Sequence, residues 1–197
     1  MHMKTMVRKL PFYRELAVVF ERYREQKMAV FLDSSMENNL GRYSVIGLNP
    51  YLILKEEDGI CYKNGKPELK SFEEEMKNCL KAYYEVNETR LPLIAGAIGY
   101  FSYDYGRKFE QIKTRHPKKI RMPEAMFAFY DLLILEDKKE KELYVTARGA
   151  LEAQETALDR LEQEIAECVP VVCPKRHGRL AGFAPNFGKE EYKQTID

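Results

Sequence analysis

Two dipeptides, Asp58-Gly59 and Asn64-Gly65, bracket the short run "ICYK" at 60–63. Both pairings tolerate positive φ, the backbone state that a tight hairpin turn demands. A chain that can reverse twice in so short a span, with β-branched and aromatic residues between the reversals, is set up as an antiparallel meander. The flanks agree with this. "RYSVIG" (42–47) and "PYLILKEE" (50–57) read as two strands ahead of the first turn, and "MAVFLDSS" (28–35) as a short buried strand before them. Further on, "MFAFYDLLILEDKKEKELYVTA" (126–147) reads as a second hairpin, two strands about a charged turn.

Helical periodicity falls between these strands. Apolar side chains at 12, 16, 19, 20 and 23 predict an amphipathic helix within residues 11–27. Ser71 followed by Glu74 forms a capping box at the head of a helix running to about Glu85. Leu151, Leu158, Leu161 and Ile165 predict another over 150–168. Helices interleaved with antiparallel hairpins define the expected class: α+β, a twisted, largely antiparallel sheet with packed helices. No repeat is visible at periods of 20–50 residues.

Composition narrows the function. Apolar residues make up 45 % of the 197, enough for a real core, while 32 Lys and Arg balance 31 Asp and Glu. A net charge of +1 supplies no field to gather nucleic acid, and the local basic run "HPKKIR" (116–121) reads as a solvated loop. No apolar run approaches the roughly 18 residues that cross a bilayer, and the first ten residues lack a signal peptide's apolar centre. The expectation is a cytoplasmic protein with no membrane partner. The cysteines at 61, 79, 168 and 173 form no C-x-x-C pair and read as reduced and half-buried. The histidines show no metal-ligand spacing, and no paired-carboxylate or G-x-S-x-G motif occurs. "SFEEEMK" and "LEDKKEKE" read as a helix face and a hairpin tip. No catalytic residue and no metal site is expected in the chain.

The segment "AGAIGYFSYDYGRKFE" (95–110) invites a phosphate-loop reading, with glycines at 96, 99 and 106. A P-loop needs Lys and Ser/Thr after the second glycine, and a dinucleotide fingerprint needs a G-x-G pair opening a helix. Neither is present. Glycines inside a strand instead let another backbone or a ligand approach. Strand scaffold is the main reading and the wall of a site the alternative. Period-2 alternation would place Phe101, Tyr103 and Tyr105 on one face, with Asp104 and Arg107 placed for a charge-assisted contact at the strand's exit.

Residues 169–188 carry prolines and glycines with little periodicity and read as a linker. A helix then starts near Lys189 and stops after barely two turns, which isolated helices rarely survive. This predicts that more protein follows in the parent molecule; a naturally short terminal helix is the alternative.

Four segments in order resemble one family, the large, chorismate-utilising subunits of anthranilate synthase and aminodeoxychorismate synthase. They are "FLDSSMENNLGRYSVIGLNP" (31–50), "AGAIGYFSYDYGRKFE" (95–110), "MPEAMFAFYDLLILEDKKEKELYV" (122–145) and "NFGKEEY" (186–192). The resemblance implies that residues 1–173 form the N-terminal domain of that fold. Residues 174–197 would then be the linker and the start of a chorismate-binding catalytic domain. That missing domain would carry the chemistry and hold Mg2+, no cofactor being expected in the present chain, and a glutamine amidotransferase subunit would supply ammonia. "YDYGRKFE" resembles the aminodeoxychorismate synthase pattern more than the anthranilate synthase one, which stays the alternative together with a stand-alone binding module. A cut at the domain boundary would also leave an apolar patch exposed.

The resemblance further implies a tryptophan pocket, onto which Leu32, Ser34, Gly41, Arg42, Tyr43 and Ser44 map. Ser34 offers a small hydroxyl and Arg42 a fork of donors, while Leu32 and Tyr43 offer apolar wall. The competing reading is that Arg42 pairs with Asp33 or a nearby glutamate and Tyr43 is core.

Overall fold

A computed structural model describes residues 4–36, 41–110, 121–170, 182, 184 and 188–194. Cys173, most of the basic run at 116–121 and most of the expected linker lie outside the described residues.

The elements run β1 (Met6–Lys9), α1 (Leu16–Tyr23), β2 (Val30–Leu32), β3 (Tyr43–Glu57), β4 (Ile60–Lys63), β5 (Lys66–Pro67) and α2 (Phe72–Ala82). They continue with β6 (Ala97–Phe101), a 3-10 turn (Tyr103–Gly106), α3 (Arg107–Glu110), β7 (Ala125–Asp137), β8 (Glu142–Ala147), α4 (Gln154–Ala166) and α5 (Lys189–Gln194). All eight strands join one antiparallel sheet in the order β1-β8-β7-β3-β4-β5, with β2 added to β3 and β6 added to β7. The expected α+β class is therefore the one observed.

Two long strands organise everything else. β3 and β7 pair from Tyr43↔Asp137 to Glu56↔Ala125. β8 flanks the second half of β7 and β6 its first half. The sequence reading of two strands, 42–47 and 50–57, is corrected to one. Asn49 takes a positive φ of 54° and the register shifts between Pro50 and Leu52, so the strand is kinked without ending. Pro50 lacks an N–H, yet it lies between the stretches where β2 and β4 dock, and no ladder bond is lost there.

Alternation in the long strands builds cores on both faces. Ile46, Leu48, Leu132 and Ile134 pack with α1 and α4 through Leu16, Val19, Leu158 and Leu161. Val45, Leu133 and Leu135 point the opposite way and join Leu91, Ile94 and Tyr130. Leu52, Leu54 and Phe129 pack under α2 against Phe72 and Cys79.

Helix ends depart from expectation for identifiable reasons. α1 starts at Leu16 because the residues before it lead out of β1, an edge strand too short and polar to have been expected. α4 starts at Gln154, not Ala150, because Gly149 has a φ of 81° and the amides of Ala150 and Leu151 donate to the Asp131 carboxylate at 2.7 and 3.1 Å. Leu151 is consequently exposed rather than on the buried stripe. α2 keeps its expected start, with the Ser71–Glu74 capping box formed in both directions.

The glycine-rich segment is scaffold. A Cβ on Gly99 would stand 2.0 Å from the Met126 carbonyl oxygen and 2.6 Å from Phe127 Cα, so only glycine allows β6 to lie this close to β7. The alternation expected through Tyr105 is corrected. β6 ends at Phe101, and the chain coils into the 3-10 turn and α3, which buries Tyr105 and leaves Tyr103 in solvent. Asp104 does meet Arg107, Oδ1 to Nε at 3.0 Å, within that coil. Lys108 then anchors the coil, donating to both Glu56 oxygens at 3.0 and 2.9 Å and to the Tyr105 hydroxyl at 3.1 Å, and reaching Glu73 at 2.5 Å. Phe101, Tyr103 and Phe109 are all more than half exposed.

Candidate functional site

The residues singled out at 32–44 meet at one end of the β3–β7 pair. β2 docks on β3 through Val30↔Gly47, Phe31↔Ile46 and Leu32↔Val45. Asp33 and Ser34 follow at the end of β2, within reach of Ser44. Across the sheet, Tyr43 and Ser44 face Asp137 and Glu136 at the end of β7. The sheet register thus delivers three separate pieces of chain to one place.

Their polar groups interlock. The Ser34 amide donates to Ser44 Oγ at 3.0 Å, and Ser34 Oγ donates to the Tyr43 carbonyl at 2.6 Å. Ser44, fully buried, donates in turn to Asp33 Oδ1 at 2.9 Å. Lys138 closes the group, donating to Asp33 Oδ1 at 2.8 Å and to the Ser34 carbonyl at 2.6 Å. Arg42 grips Asp137, with Nε 3.0 Å from both carboxylate oxygens and Nη2 2.5 Å from Oδ2. The Lys139 and Glu140 amides donate to the same Asp137 at 3.1 and 3.2 Å and fix the hairpin turn. The Arg42 guanidinium also lies 5.0 Å over the Tyr43 ring, a cation–π distance.

Both acids stay ionised in this setting. The Lys138 hydrogen bond, opposed by burial and assisted by Ser44, holds the Asp33 carboxyl below its usual range. Burial works against the Asp137 charge, but Arg42 and the two turn amides outweigh it and keep that carboxyl low as well. Asp137 in turn raises the Arg42 guanidinium, which is charged at any physiological pH.

Four of the six expected residues, Ser34, Arg42, Tyr43 and Ser44, are joined here through hydrogen bonds or ring contact, and Gly41 adjoins them. Leu32 is half exposed on the strand edge. The competing reading is corrected in its partner. Arg42 binds Asp137 rather than Asp33, with Glu140 only a distant second at 3.9 Å, because Lys138 already occupies Asp33. Tyr43 is partly buried, with the guanidinium over its ring and its side chain packed against the core formed by Val45, Leu133 and Leu135. Asp137 and Lys138 were missed by sequence reasoning, which saw in "LEDKKEKE" only a hairpin tip. The signal that could have found them is local: an aspartate opening a tight turn offers its carboxylate to the amides two and three residues on.

Chemically the cluster is a binding or bracing arrangement. It pairs no nucleophile with a base. The Arg42 guanidinium holds the hairpin through Nε and Nη2 on Asp137.

Comparison with known proteins places these elements. The family of chorismate binding enzymes matches residues 29–197. Aminodeoxychorismate synthase component 1 of Bacillus subtilis (strain 168) is 30 % identical over 206 residues, covering 96 % of this chain and 42 % of the relative. Anthranilate synthase component 1 of Saccharomyces cerevisiae is 34 % identical over 192 residues, covering 87 % of this chain and 36 % of the relative. The crystal structure of anthranilate synthase component I from Streptococcus pneumoniae TIGR4 superposes with a TM-score of 0.57 at 22 % identity, over 81 % of this chain and 36 % of that one. The chain therefore spans 42 % or less of the length of each of these relatives.

Proposed function

The chain belongs to the family of chorismate binding enzymes, and from that premise we propose that it is the N-terminal domain of a component I enzyme of the aminodeoxychorismate synthase type. The whole enzyme would convert chorismate and ammonia to 4-amino-4-deoxychorismate in folate synthesis, with ammonia delivered by a glutamine amidotransferase subunit in the cytoplasm. The observation carrying this choice over anthranilate synthase is the "YDYGRKFE" run. Its Gly106-Arg107 step forms the coil in which Asp104 meets Arg107 and from which Lys108 reaches Glu56.

Mg2+ is the metal this reading requires. Among the described residues no group of three or more His, Cys, Asp or Glu side chains could hold a metal ion, so these residues do not fit that site. The chain's own part is to supply the sheet and the bracing cluster at one end of β3. We assign that cluster as a tryptophan pocket, with Arg42 for the carboxylate and Tyr43 and Leu32 as apolar wall.

Two chimaeras test the assignment. This chain replaces the corresponding N-terminal region of the Bacillus subtilis aminodeoxychorismate synthase component 1 and, separately, of its anthranilate synthase component 1. The first should restore growth of a p-aminobenzoate auxotroph and the second should fail in a tryptophan auxotroph. The reverse pattern would overturn the choice of enzyme. Calorimetric titration with tryptophan should give saturable heat that Arg42→Ala abolishes, and no heat would remove the pocket from the proposal.

A further inference from the structure

Among the described residues the sheet has four edge strands, β1, β2, β5 and β6, and three of them are blunted. β5 consists of Lys66 and Pro67 alone, and Pro67 has no N–H to offer a new strand. β2 is three residues long and runs into Asp33, which is tied to Lys138. β1 ends in Arg8 and Lys9, of which Arg8 reaches Glu155 and Asp159 on α4 and Lys9 pairs with Glu142. Shortness, charge and proline are the usual guards against strand addition. β6 lacks the charge and the proline. Its five residues, Ala97-Ile98-Gly99-Tyr100-Phe101, are all uncharged and pair only with β7 among the described residues.

The register with β7 fixes which backbone groups that edge presents. The Tyr130 amide donates to the Gly96 carbonyl at 3.3 Å, and the Ser102 amide to the Glu124 carbonyl at 2.7 Å. Bonded pairs alternate with unbonded ones in an antiparallel ladder, so Gly96, Ile98, Tyr100 and Ser102 turn their amides and carbonyls toward β7. Ala97, Gly99 and Phe101 turn theirs away from it, and Gly99 and Phe101 are exposed. The side chains of Ala97 and Phe101 lie on the α2 face. There the Phe101 ring sits 4.8 Å from Tyr105 and 4.9 Å from Phe127, yet the residue stays 54 % exposed. Ile98 packs on the opposite face, which alternation along the strand also gives to Tyr100.

One register lets this edge pair with a copy of itself over its whole length. Antiparallel pairing about a two-fold axis at Gly99 sets Gly99 against Gly99, Ala97 against Phe101 and Ile98 against Tyr100. The three outward-facing residues of each strand then meet as bonded pairs. On the α2 face the half-exposed Phe101 ring of one copy covers the small Ala97 of the other. On the opposite face a β-branched residue meets an aromatic one, a favourable cross-strand pair. Any other register leaves β6 residues unpaired at the ends. We propose that the β6 edge is a self-association surface, through which two copies of this chain form a two-fold dimer with one continuous sheet. A five-residue strand is a small contact, so monomer and dimer exchange with concentration. The surface uses none of the residues at 32–44.

Sedimentation over a wide range of chain concentrations, with amide hydrogen exchange read at both ends of the range, tests this. The apparent mass should rise from the 23.1 kDa of one chain toward twice that value. Exchange at the amides of Ala97, Gly99 and Phe101 should slow at least tenfold in the concentrated sample. Ile98 and Tyr100, bonded to β7 in either state, should change little. Tyr100→Lys puts a charge on the edge and should weaken association at least tenfold, whereas Tyr100→Phe should leave it unchanged. Circular dichroism of both variants should match the parent's, and if the lysine variant misfolds, the exchange pattern of the parent chain decides. A chain monomeric at every concentration, association undiminished by Tyr100→Lys, or concentration-dependent protection that spares these three amides would each overturn the proposal. Protection of the three amides at every concentration would overturn it too, by assigning the edge to a partner within the same molecule.

Discussion

Arg42 and Asp137, separated by 95 residues in sequence, form the contact that closes one end of the sheet. The aspartate is almost wholly buried and the arginine only partly so. The same carboxylate also ties down the turn between β7 and β8. One side chain therefore holds the hairpin in shape and fixes it to the start of β3.

That asymmetry predicts unequal mutational costs. Asp137→Ala strands a charged guanidinium and two turn amides and should lower stability by about 2–3 kcal/mol, in the range for hydrogen bonds to charged groups. Arg42→Ala leaves Asp137 still capped by the amides and should cost roughly half as much. The double variant should cost less than the sum, because both substitutions break the same bonds. Urea denaturation of the three variants measures all of this.

Acid should unfold the protein through its paired carboxylates. Burial opposes the Glu73 charge, but hydrogen bonds from Lys108 and Tyr105 pull its carboxyl down to about 2. Asp33 and Asp137 are lowered as well. Groups depressed in the folded state stabilise it fully above their unfolded values, and that contribution is lost as pH falls through the folded ones. The urea midpoint should therefore hold steady above about pH 5 and fall progressively toward pH 2. Glu73→Gln should flatten the lower part of that decline.

Gly99→Ala should destabilise by about 1–3 kcal/mol, because the new methyl group meets the β7 backbone rather than a yielding side chain. Gly106→Ala is the control. Its Cβ would meet nothing within 4 Å and its φ is not positive, so it should be neutral or gain up to about 1 kcal/mol from a stiffer unfolded chain. Thermal unfolding of the pair reads the contrast.

Ser71→Ala removes the cap on α2 and should cost about 1 kcal/mol. Ser71→Asp should recover most of it, since an aspartate can accept the same Glu74 amide. Amide exchange in the first turn of α2 should accelerate in the alanine variant alone.

Cys61, Cys79 and Cys168 are free and buried, and burial raises all three thiols, Cys61 to about 11. In a Cys173→Ala background, Ellman's reagent at pH 8 should label the native chain slowly and the denatured chain at once. Rapid native labelling would show that the cores around α2 and α4 open easily.

Much of this was legible without coordinates. The turns at Asp58-Gly59 and Asn64-Gly65 form as expected, all four residues taking positive φ, and the α2 capping box forms in full. The β7–β8 hairpin also pairs as its sequence predicts. Each of these depends on sterics and hydrogen bonds within a few residues, so the local sequence suffices to specify it. The fold class followed from them, and the resemblance carried by four segments pointed to the family.

Tertiary structure decided the rest. Whether Pro50 breaks a strand depended on where β2 and β4 dock, since a missing N–H matters only opposite a partner. Whether Arg42 takes Asp33 or Asp137 depended on Lys138 reaching Asp33 first. Tyr103 and Tyr105 parted company because the chain coils after β6, which alternation along a strand cannot foresee. Arg148, just past β8, meets Glu85, just past α2, and that pairing depends on how α2 packs on the sheet as well as on strand register. Local propensity reaches a few residues along the chain, whereas these outcomes turn on which groups compete for one partner across the sheet.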